Sequence, residues 1–66
     1  MDVIVNGKPQ TLQDGLCLEA YIAEVSPHPD RIIAEVNELI IKRKQWADYR
    51  LNSGDRVELV TLVGGG

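Results

Sequence analysis

The sequence of 66 residues predicts a small α+β fold, one mixed sheet packed on a single helix. Three observations predict it. Asn6-Gly7, the strongest two-residue hairpin signal, separates two strand-like runs near the start. Leu18, Tyr21, Ile22 and Val25 recur at helical spacing and place one apolar stripe on a short helix. The remaining apolar runs read as strands parted by turn clusters, so the helix stripe and one sheet face must bury each other.

Taken in order, Asp2 to Val5 opens a strand, and Lys8 to Leu12 alternates well enough to return from the Asn6-Gly7 turn. Asp14-Gly15 leads into the helix, with Glu19 and Glu24 away from the centre of its apolar stripe. Ser26-Pro27-His28-Pro29-Asp30 ends it, because proline removes a donor and biases the preceding residue away from helical angles. Arg31 to Val36 reads as a central strand, and Asn37-Glu38 turns it into a short run, Leu39 to Ile41. Gln45 to Tyr49 predicts a brief helical turn carrying Trp46. Asn52-Ser53-Gly54-Asp55 is a turn cluster, and Arg56 to Val63 is the last strand. Residues 1–63 are expected to form the domain and residues 64–66 a flexible glycine tail.

Composition narrows the function. Ten acidic residues against seven basic give a net charge of −3, the wrong sign for a phosphate-backbone binder. The basic cluster Lys42, Arg43, Lys44 also lacks the interleaved aromatics that stack on bases, so nucleic acid is not the expected partner. No apolar run is long enough to span a bilayer. The opening MDVIVNG is acidic and runs straight into a strand pattern, which predicts a cytoplasmic protein without a leader. One cysteine, Cys17, and one histidine, His28, fall short of the ligand set of a zinc site, so no metal is expected.

The last strand and its sequel carry the functional signal. Val57 and Leu59 share one face, and Val60 and Leu62 share the other. With one helix available as cover, the Val60 and Leu62 side, with Val63 near the exit, is a candidate docking patch. Gly64, Gly65 and Gly66 then follow. Glycine lets a partner close on the backbone from every side, and these residues extended reach about 10 Å beyond the sheet. A free α-carboxyl is ionised at neutral pH and is available as an oxygen nucleophile. Ordering such a tail costs about 1 to 2 kcal/mol per residue, so apolar contacts on the body must offset it. Burying about 150 Å² there contributes about 4 kcal/mol. The competing reading is an inert, frayed Gly-rich end.

Other residues carry weaker signals. Cys17 lies near the helix start, where a thiol can be activated, yet its only possible base, His28, is at the far end of the same helix; a packing role is the simpler reading. Arg43 is either a partner-binding cation or an ordinary exposed turn residue. Trp46 reads as a lid on the small core.

Taken together, the opening IVNGK hairpin, DGLCLEAYIAEV, AEVNELIIKRKQW with Arg43 and Trp46, LNSGDRVELV and the terminal glycines resemble the sulfur carrier proteins of thiamine biosynthesis, the ThiS family, within the ubiquitin-like β-grasp fold. Two positions depart from the family pattern: Lys42 stands where a proline usually precedes the arginine, and Gly64 where alanine often precedes the final Gly-Gly. The resemblance implies a carrier rather than an enzyme, with no bound cofactor. An adenylating enzyme would use ATP to activate the Gly66 carboxylate, sulfur would displace the adenylate to leave a thiocarboxylate, and thiazole synthase would take that sulfur. The partners implied are that activating enzyme and thiazole synthase. A carrier of the same fold serving molybdopterin or another thiolated product, and an inert β-grasp interaction module, are the alternatives.

Overall fold

In a computed structural model, which describes residues 1–63, the strands are β1 (Asp2–Val5), β2 (Lys8–Thr11), β3 (Ile32–Val36), β4 (Leu39–Ile41) and β5 (Arg56–Thr61). One helix, α1 (Leu18–Val25), lies between β2 and β3, and 3₁₀ segments cover Pro29–Arg31 and Arg43–Asp48. The strands form one sheet in the order β2-β1-β5-β3-β4. β1 and β5 are parallel; the other neighbours are antiparallel. This is the expected mixed sheet on a single helix, the β-grasp arrangement.

The middle strand is β5, and β3, read from sequence as a central strand, is interior as well, paired with β5 on one side and β4 on the other. Pairing of the first strand with the last puts β5 in the middle, a long-range contact that local pattern does not reveal. The second helical turn also begins earlier than expected, at Arg43 rather than Gln45.

Both hairpins use a tight turn with left-handed central residues. Asn6 and Gly7 have φ of 48° and 80°, as the two-residue turn between twisted strands requires. Between β3 and β4 the corresponding residues are Asn37 and Glu38, at 53° and 71°. Asn tolerates this region, whereas Glu38 has a Cβ that crowds the following carbonyl there, at a cost of about 1 kcal/mol.

The core joins the helix to one sheet face: Leu18 and Ile22 of α1 are fully buried, as are Val3, Ala34, Val36 and Val57 of the sheet. Tyr21 is buried with them, but Val25, the fourth residue of the predicted stripe, is half exposed. The helix ends there, where the Ser26 N–H donates to the Ile22 carbonyl at 2.9 Å, so its last turn overhangs the edge of the core. Trp46 is buried, and its indole N–H donates to the Ile41 carbonyl at 2.9 Å. A polar knot fixes the turn into β5: buried Asp55 accepts from the Asn52 N–H at 2.8 Å and the Asn37 amide at 3.0 Å. Asn37 in turn accepts from the Arg56 N–H at 3.0 Å.

Candidate functional site around the end of the last strand

β5 begins enclosed and ends exposed. Val57 has no accessible surface, Leu59 is half-buried, and Val60, Leu62 and Val63 are 51 %, 53 % and 81 % exposed. Two anchors hold this exposed end in line. The Leu62 N–H donates to the Arg31 carbonyl at 2.8 Å, which carries the antiparallel pairing with β3 one residue beyond Thr61. On the other side β1 has already ended, and the Asn6 side chain takes its place. The amide oxygen of Asn6 accepts from the Leu59 N–H at 2.8 Å, and its nitrogen donates to the Leu59 carbonyl at 3.3 Å. A short strand is thus lengthened by a side chain that mimics peptide.

Both faces are open at this end of the sheet. On the face away from α1, Val60 lies directly across from Ile33 of β3, itself exposed. Exposed Ile40 of β4 belongs to the same face by alternation. On the helix side a groove of about 300 Å³ is lined by Tyr21, Val25, Pro27, His28, Leu59 and Thr61 among others. Burial, and secondly the Glu24 carboxylate, push the Tyr21 phenol above its ordinary pKa of 10.0.

The sequence-predicted site residues are not all in one place. Val60 and Leu62 share the open face, and Val63 follows them. Arg43 is exposed at the start of the second 3₁₀ segment. It follows β4, which β3 separates from β5, so it is not a strand neighbour of Val60 and Leu62. Gly64, Gly65 and Gly66 lie outside the described residues. Cys17 is half-buried just before α1, with its backbone bridged to Arg50. His28 is exposed beyond the other end of a helix of 8 residues, about 12 Å long, so the structure does not assemble a thiol–imidazole pair. Sequence reasoning missed Ile33 and Ile40 as members of the open apolar face. Their alternation with buried Ala34 and Ile41 was readable, but their position beside Val60 depends on strand register. Among the described residues no group of three or more His, Cys, Asp or Glu side chains is placed to hold a metal ion. No described helix is long and apolar enough to cross a membrane.

Comparison with known proteins gives this geometry a context. A crystal structure titled as the thiamine biosynthesis protein ThiS of Geobacter metallireducens superposes with a TM-score of 0.84 at 27 % identity, each chain covered completely. Among curated relatives, a protein named thiazole synthase from Paramagnetospirillum magneticum is 27 % identical over all 66 residues. The chain spans only 20 % of that protein's length. An uncharacterized protein, ycf40, of Porphyra purpurea is also 27 % identical over 66 residues, and there the match covers 93 % of the relative. The model of the ThiS family matches residues 3–66, the sheet, the helix and the glycines together. By that match the chain belongs to the ThiS family.

Proposed function

We propose that the protein is a sulfur carrier for thiazole formation in thiamine biosynthesis, with the Gly66 carboxylate as its reacting group. The observation that carries this reading is the strand before the glycines: the middle strand of the sheet ends at Thr61, and Val60 within it and Leu62 and Val63 just beyond it are each at least half exposed. The glycines follow a strand end held by hydrogen bonds on both sides, and the apolar surface beside it gives a partner something to grip.

The chemistry follows from the group at the terminus. An adenylating enzyme brings the Gly66 carboxylate oxygen to the α-phosphorus of ATP, and pyrophosphate leaves. A sulfur nucleophile then attacks the carbonyl carbon of the acyl-adenylate and AMP departs, leaving a thiocarboxylate. Glycine suits both steps, because no side chain crowds the carbon under attack. The body contributes binding: its exposed apolar residues offset the loss of freedom in the glycines, about 1 to 2 kcal/mol for each residue ordered.

Thiazole synthase as the recipient is supported by the relatives of that name in which a segment similar to this chain is one fifth of the polypeptide. Sulfur-labelled carrier, mixed with a purified thiazole synthase and its other substrates, is expected to pass label into the thiazole product. Label that stays on the carrier under those conditions, but passes to a molybdopterin synthase, would redirect the assignment.

A further inference from the structure

Among the apolar residues of the open face lies a charged pair that the isolated fold does not need. In the antiparallel pairing of β3 with β5, Glu35 is directly opposite Glu58. Ile40 of β4 faces Glu35 from the other side. Alternation puts all three on the face away from α1, since Ala34, Val36 and Val57 point into the core. The next cross-strand pair on the same face is Ile33 with Val60. Two carboxylates are therefore set into an apolar surface, Glu58 exposed and Glu35 half-buried.

Directly opposed like charges repel, because the side chains start only about 5 Å apart at Cβ. No cation among the described residues pairs with them. Among the described residues the single ion pair joins the Met1 amino group to Asp14 at 2.9 Å. Arg56, two residues before Glu58 and on the same face, pairs with neither glutamate. Isolated stability would favour Thr or Val at either position. A cation arriving from outside reverses that balance. A guanidinium offers a planar fork of donors to more than one carboxylate, and its flat sides lie well on aliphatic neighbours. Covering the face excludes water and strengthens that attraction, whereas covering it without a cation buries two like charges unpaired.

We propose that the protein docking on this face inserts an arginine between Glu35 and Glu58 and packs apolar residues on Ile33, Ile40 and Val60. The proposal rests on the carrier reading above and adds what selects the partner. An adenylating enzyme with a basic, apolar-rimmed contact is accepted; a protein presenting an acid there is rejected by repulsion.

The test is the double variant Glu35→Gln/Glu58→Gln, which keeps side-chain size and removes both charges. It is compared with the wild type in melting temperature, in affinity for the adenylating enzyme of the same organism at low and high salt, and in ATP-dependent sulfur loading. The melting temperature is expected to hold or rise while affinity falls at least tenfold, about 1.4 kcal/mol, with a weaker salt dependence. Equal affinities, from an enzyme that loads both forms, overturn this proposal and leave the carrier reading standing. A lower melting temperature for the double variant also overturns it, since the pair would then serve the fold. Failure of an enzyme proven active on another carrier to load even the wild type overturns the carrier reading, and this proposal with it.

Discussion

On the proposed reading docking and folding depend on opposite ends of one strand, and Leu62→Asp separates them. Leu62 keeps 53 % of its surface in the isolated protein. Complete burial of a leucine is worth about 1.5 to 3 kcal/mol, so roughly half of that, about 0.8 to 1.5 kcal/mol, is still available to a partner. The aspartate forfeits this and places a carboxylate in the apolar part of the contact, where burial without a partner is costly. Affinity for the adenylating enzyme is therefore expected to fall at least tenfold, read by titration calorimetry. The fold is expected to change by no more than about 0.5 kcal/mol, as for other exposed substitutions. The main-chain bond from Leu62 to the Arg31 carbonyl does not involve the side chain. Val57→Ala is the converse. With no accessible surface, it is expected to cost about 1 to 3 kcal/mol of stability through lost methyl burial and the cavity left behind, with little effect on docking of the folded fraction. Unchanged affinity of Leu62→Asp, or a loss of stability matching that of Val57→Ala, would refute the assignment of the strand end to docking.

Two further predictions concern the body of the fold. Glu38→Gly relieves a left-handed residue at φ 71° and is expected to stabilise the protein by a few tenths to about 1 kcal/mol in urea unfolding; destabilisation would mean that the Glu38 side chain makes a compensating contact. The second is a pH dependence. Burial and then Glu24 hold the Tyr21 phenol above its ordinary pKa of 10.0, so the unfolded chain gives up that proton at lower pH than the folded one. Stability from this group is full below pH 10.0 and is lost as pH rises through the folded value. Tyr21→Phe should flatten that alkaline decline in denaturation curves; a decline as steep as in the wild type would assign it to other groups.

The features legible in the sequence are those set by neighbours along the chain. Asn6-Gly7 named the first hairpin because its angles belong to the residues themselves, and Leu18, Tyr21 and Ile22 named the buried side of α1 because helical spacing fixes which residues share a face. Val25 obeyed the same spacing and is nevertheless half exposed, since periodicity does not report where the sheet beneath a helix ends. Long-range pairing was not legible. The parallel contact of β1 with β5 determines which strand is central, and the register of β3 on β5 sets Glu35 against Glu58 and Ile33 against Val60. The double hydrogen bond from Asn6 to Leu59 spans 53 residues and leaves no local trace beyond an asparagine already explained by its turn. Alternation in Arg56 to Val63 did separate the Val57 side from the Val60 side, because a two-residue period is a local property.

The carboxylate of Gly66 as the site of sulfur loading is tested most directly by intact-mass spectrometry. The full chain and a chain ending at Val63 are each incubated with the adenylating enzyme, ATP and a sulfur source. The full chain should gain the mass difference between a sulfur and an oxygen atom, located by fragmentation at Gly66, while the shortened chain should gain nothing. A gain by both chains, or a gain of one whole sulfur atom mapping to Cys17 as a persulfide, would contradict a carrier charged at its C-terminus.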